Sequence, residues 1–177
     1  MKVLSKVLCG LAMVLGVNGL FAQENKVQLT EKVSIVFPEK PATRDMQGVA
    51  TLHTLRLADS SANFNVIVTN LEKNNGLTAE VLEAAKLEPA FWEQAETAFI
   101  ASLGADAKLV SKEMKQVGNQ EALSMQVTSE RNGKKTLFTV YILTEGVFSI
   151  NVVYTNRSGQ ASETLRDNFF KSLAIKE

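Results

Sequence analysis

The chain has 177 residues, of which 45% are hydrophobic, and its 19 basic side chains balance 19 acidic ones. Charge spread this evenly speaks against nucleic-acid binding, which needs a concentrated basic surface to displace counterions. One histidine and one cysteine leave no thiolate cluster and no imidazole pair, so a tetrahedral zinc site would have to draw on carboxylates for most of its ligands.

In chain order, Lys2 and Lys6 precede an uncharged run from Val7 to Val17, and Asn18 to Ala22 then lead into polar Gln23-Glu24-Asn25. The pattern predicts a secretory signal peptide over residues 1–22, cut after Ala22. Eleven uncharged residues at ~1.5 Å each reach about half of the ~30 Å hydrocarbon core, so no stable membrane insertion is expected once the leader is gone. Removing 22 of 177 residues leaves 155 with a net charge of −2 and no cysteine, because the lone Cys9 lies in the leader. A length of 155 suits one domain, stabilised by packing without disulfides.

Residues 23–31 are polar and read as a flexible N-terminal arm, with a single domain over 32–177. Val33, Ile35 and Phe37 alternate with polar neighbours until Pro38 and Pro41 stop the run. Val49–Leu57 and the Phe64-Val66-Val68 phase predict a hairpin closed by Asp59-Ser60-Ser61. Lys73-Asn74-Asn75-Gly76 then breaks the period of two. Helical spacing follows in two pieces, 78–87 and 89–103, separated at Pro89, which disfavours helix at Glu88 but suits the first position of a new one. Thr78 is placed to cap the first. Val81, Leu82 and Ala85 share a face there; Trp92, Ala95, Phe99 and Leu103 form a stripe in the second, with Gly104 suited to a left-handed exit.

Four further runs, at about 108–117, 122–130, 135–143 and 147–156, return to alternation, and Asn132-Gly133 and Glu145-Gly146 mark tight turns. The run 137–143 is apolar on both faces, and so in part is 148–154 through Val153, which predicts strands near the sheet centre. Ser162–Leu173 closes as a helix with Leu165, Phe169 and Leu173 four apart. The fold class is therefore α+β: an antiparallel meander sheet of about six to seven strands covered by helices on both faces, an α/β/α sandwich.

No motif is specific enough to name a reaction, a cofactor or a metal. His53 is the only possible imidazole base, yet no serine stands in a Gly-x-Ser-x-Gly elbow, and a strand residue at the sheet edge is the simpler reading. Asp59, Ser60, Ser61 and Asn63 are oxygen-rich, as ordinary turns are. Glu80 with Glu83 and Glu93 with Glu96 read as hydrated helix surface, and Arg131, Lys134 and Lys135 as solubilising charge. Trp92, with Phe91 beside it, is the candidate for lining an apolar ligand pocket between helix and sheet, although its stripe also fits core packing. Asn156-Arg157-Ser158 is a glycosylation sequon only in a glycosylating host.

The opening Val33-Ser34-Ile35-Val36-Phe37-Pro38-Glu39-Lys40-Pro41, the central helical block, and the ending in which Tyr154 precedes Phe170-Lys171-Ser172-Leu173 resemble the PsbP-like and DcrB-like group of small exported α/β/α domains, over about residues 32–175. Members of that group are mostly non-catalytic, so the resemblance implies an accessory or interaction protein, as in the extrinsic photosystem subunit. It carries over no catalytic residue. The expectation is an exported soluble, non-enzymatic domain of the periplasm or cell exterior that contacts an envelope protein or a small ligand. The alternatives are a carrier of a small hydrophobic ligand near Trp92 and a hydrolase-type enzyme using His53.

Overall fold

The computed structural model describes residues 25–157 and 162–176; the expected leader, Cys9 within it and Ser158 of the sequon lie outside the described residues. Alternation turns into strands where expected. β4 (Ala50–Arg56) and β5 (Ala62–Asn70) form the first hairpin, while β6 (Lys108–Val117), β7 (Gln120–Arg131), β8 (Lys134–Glu145) and β9 (Phe148–Asn156) form the second meander. Between β7 and β8, Asn132 and Gly133 both take positive φ, 53° and 70°, as a two-residue turn matched to strand twist requires.

Pairing of β5 with β9, Phe64 opposite Tyr154, fuses the two meanders. An additional edge strand, β3 (Ala42–Met46), completes a seven-stranded antiparallel sheet in the order β3-β4-β5-β9-β8-β7-β6. The chain crosses from β5 to the far edge through α1 (Leu71–Asn75), α2 (Ala79–Ala85) and α3 (Pro89–Leu103). Thr78 caps α2 by accepting from the Val81 amide at 3.4 Å, and Pro89 takes the first position of α3. Gly104 leaves α3 at φ 108° and ψ 174°, a positive-φ exit but not the left-handed helical one expected.

Both faces of the sheet are covered. On one, Trp92 and the α3 stripe pack on Leu123, Met125, Val127, Val140, Ile142 and Val153. On the other, β2 (Val33–Val36) and α4 (Glu163–Lys171) enclose Phe64, Val66, Ile150, Val152 and Tyr154. Phe169 of α4 meets Phe37, Phe64 and Phe170 edge-on at 5.1, 5.0 and 5.6 Å. Tyr141 and Leu143 belong to the second cluster while Val140 and Ile142 belong to the first, so β8 and β9 are the doubly covered central strands.

Other features refine or depart from the sequence reading. Lys26–Gln28, expected within a flexible arm, form β1, which pairs with β2; with β10 (Ala174–Ile175) they make a separate three-stranded sheet. The string 73–76, expected to break the strand pattern, does so as the end of a short helix, α1, whose start Asn70 caps on the Lys73 amide and whose end Gly76 caps at φ 72°. Val81 stays exposed although Leu82 is buried, so of these two neighbours only Leu82 turns to the core.

Candidate functional site

The break between α2 and α3 creates a groove. Helix α2 ends at Lys86, Glu88 is extended because Pro89 follows it, and the turn between them pushes Leu87 into solvent at 83% exposure. Trp92, one turn into α3, is 8% exposed, and its indole N–H donates to the Lys86 carbonyl at 3.0 Å, which fixes the ring against the turn. Lys86 in turn bonds Glu83 at 2.7 Å and the Gln120 side chain at 3.2 Å, tying the turn to the start of β7.

Across from the helix, Met114 of the edge strand β6 stands opposite Leu123 of β7. Leu87, Pro89, Trp92, Met114 and Leu123 thus surround a concavity of about 440 Å³. That volume lies within the ~300–1,000 Å³ range of ligand sites. Met114 is 44% exposed, and the groove opens to solvent along Leu87 and Met114.

The rim is polar and mainly acidic. Glu93, Glu96, Glu121 and Glu113, which also meets Lys115 at 2.9 Å, line it with Lys86 and Lys112. Both lysines are committed: Lys112 meets Glu96 at 2.7 Å, and that hydrogen-bonded carboxylate raises the lysine pKa, with Glu93 adding a smaller push. The carboxylates left over give the mouth a negative field, although exposed pairs of this kind contribute little stability.

Trp92 therefore sits both in the core, as its stripe predicts, and at the floor of a groove. Phe91, the other ligand-site candidate, lies outside the groove lining; it is half-buried and edge-on to Trp92 at 5.0 Å. Sequence reasoning missed Leu87, Met114 and the rim role of Glu93 and Glu96. Leu87 beside Pro89 was an available signal, since an apolar residue at a helix break is commonly exposed.

His53 lies on β4, 6% exposed, with Nδ1 2.8 Å from the Thr43 hydroxyl on β3. Burial lowers its pKa from the ordinary 6.5. The ring does not line this groove, and it is hydrogen-bonded to a threonine and not to an acid. The Asp59 carboxylate accepts from the Ser61 amide at 2.9 Å and its hydroxyl at 2.7 Å, bonds that lower its pKa and close the turn on itself. Among the described residues no cluster of three or more histidine, cysteine or acidic side chains is arranged for a metal, and no helix is long and apolar enough to cross a membrane.

No protein-family model and no curated protein sequence matches the chain. Solved structures do. A cyanobacterial PsbP (CyanoP) from Synechocystis sp. PCC 6803 aligns with a TM-score of 0.52 and 16% identity over 85% of this chain and 91% of its own. PA94 from Pseudomonas aeruginosa, a protein of unknown function, aligns at 0.53 and 10% over 77% and 98%. A Bacteroides thetaiotaomicron structure aligns at 0.52 and 13% over 88% of this chain, which spans only 49% of that structure. At these identities the likeness concerns the fold: the chain has a PsbP-like α+β fold with an antiparallel sheet, as its opening and closing strings suggest.

Proposed function

We propose that the protein is an exported, non-enzymatic accessory protein of the cell envelope that seats a large apolar side chain of a partner in the Trp92 groove. The observation that carries this reading is the 83% exposure of Leu87 beside a preformed apolar concavity of about 440 Å³. Exposed apolar groups around a pocket with a polar rim are how binding surfaces are usually built. The excess of rim carboxylates favours a partner whose apolar anchor is flanked by basic groups. Export rests on the leader pattern at residues 1–22.

The carrier reading draws on the same groove. Carriers usually enclose most of a ligand's surface, whereas this concavity is open along Leu87 and Met114, so a side chain entering from a partner fits it better. An enzyme built on His53 has less to support it, since an imidazole with a lowered pKa, held by a threonine and without an acid partner, lacks the orienting group of a triad.

The test is native mass spectrometry of the protein purified from its own envelope, with a photo-crosslinker at position 87. A stoichiometric partner crosslinked at 87, with the crosslink lost when Met114→Asp is added but kept when His53→Gln is added, is the expected result. A co-purifying apolar small molecule would transfer the role to a carrier. Bare monomer without crosslinks overturns the reading, and a mature N-terminus that retains residues 1–22 overturns cleavage after Ala22.

A further inference from the structure

On the sheet face opposite Trp92 lies a second cleft, of about 690 Å³, between α4 and strands β6, β7 and β8. Its floor is polar by register. Ser124 stands opposite Tyr141 and Gln126 opposite Thr139, so their side chains emerge on the same face, alternating with the apolar residues that pack under α3. This makes the cleft chemically unlike the Trp92 groove, although Lys112 and Glu113 of the edge strand border both.

Thr139 is the informative residue. It is 8% exposed and lines the cleft, yet its hydroxyl has no hydrogen-bond partner among the described residues. The Tyr154 hydroxyl is likewise buried and unpartnered, and Tyr154 stands directly opposite Thr139 on β9. Buried hydroxyls are normally bonded, because an unpaired one forfeits its hydration without return. The Thr144 hydroxyl is a third such group, but of the three only Thr139 lines this cleft, where a bound group would supply the bond it lacks.

The walls define the charge of that group. Lys112, Lys115, Arg166 and Lys171 stand against Glu113 and Asp167, with Lys112 already taken by Glu96. Lys115 is held by Glu113 at 2.9 Å, and the Arg166 Nε–H donates to Asp167 at 2.9 Å. Arg166 also pairs with Glu163 at 3.7 Å, and with five donors in all the guanidinium keeps capacity for a further acceptor. Burial raises the Tyr154 pKa while the Arg166 charge opposes the shift, and Arg166 lines the same cleft as Thr139. Hydroxyl and amide groups on the floor both donate and accept, a set that matches a ligand bearing hydroxyls.

We propose that this cleft binds a small polyhydroxylated anion, of the acidic-sugar or sugar-phosphate class, with its hydroxyls on Thr139 and its charge on Arg166 and Lys171. Amide chemical shifts of the full chain, titrated with galacturonate, glucose 6-phosphate, glucose and inorganic phosphate up to about 10 mM, test it. Saturable shifts in β7, β8 and α4 with one of the two acidic sugars are expected, and which of them binds distinguishes carboxylate from phosphate. Glucose should bind at least tenfold more weakly, as should inorganic phosphate alone.

Thr139→Val keeps the shape and removes the hydroxyl. It should weaken binding at least tenfold while leaving the melting temperature unchanged or raised, an outcome that a merely structural threonine would not give. Arg166→Gln should weaken the acidic ligand and leave glucose unaffected. No saturable shift with either acidic sugar overturns the proposal. So does equal affinity for glucose, phosphate binding as tight as the sugar phosphate, or unaltered affinity in a folded Thr139→Val protein.

Discussion

His53 shows how position decides what a residue can do. Neither strand neighbour gives a reason for burial, but β3 lies across it and Thr43 bonds the ring. Desolvation lowers the imidazole pKa, so between that native value and about 6.5 the unfolded chain holds more protons than the folded one. Stability from the neutral ring is therefore complete above 6.5 and falls as pH drops toward the native value. Urea unfolding at pH 5 and pH 7.5 should show a loss at the lower pH that shrinks in His53→Gln. An undiminished loss would mean that the imidazole is not its source. Ser172 is a second case. Its hydroxyl accepts from the Val36 amide at 3.0 Å and lies 3.1 Å from the Val36 carbonyl and 2.7 Å from the Phe169 carbonyl. The string Phe170-Lys171-Ser172-Leu173 is thus a packing signature: two buried apolar residues flank a hydroxyl that fastens α4 to β2.

At the scale of elements, the β7–β8 turn isolates backbone geometry from packing. A Cβ on Gly133 would meet nothing within 4 Å, yet φ is 70°, so Gly133→Ala should cost about 1–2 kcal/mol through the backbone alone. Denaturant unfolding measures it, and a cost near zero would mean the turn relaxes without penalty. Elements with an apolar phase were legible beforehand: β4, β5, the four strands from 108 to 156 and the stripes of α3 and α4. Those without one were not. Ala42-Thr43-Arg44-Asp45-Met46 is exposed throughout and exists as a strand because β4 offers it an edge. The pair Ala174–Ile175 becomes β10 only by meeting β2. The groove was half legible for the same reason. Trp92 could be placed on the α3 stripe, but Met114 and Leu123 reach it through strand pairing far along the chain, which no local period records.

For the whole molecule, Phe169 is the contact through which α4, β2 and the main sheet hold one another. Phe169→Ala removes a fully buried ring and should cost about 3–5 kcal/mol, a large share of the ~5–15 kcal/mol available to a typical domain. Calorimetry should register it as a markedly lower melting temperature, and a shift of a degree or two would show that the cluster repacks. The join between the two meanders has a temporal side as well. In the sheet β5 lies next to β9, yet 77 residues separate Asn70 from Phe148 along the chain. Any chain that becomes available from its N-terminus first presents β5 well before its mate. Through that wait the early hairpin has one border with amides and carbonyls unclaimed, and it is vulnerable to whatever strand arrives first. Maturation of this molecule is thus paced by delivery of its penultimate strand.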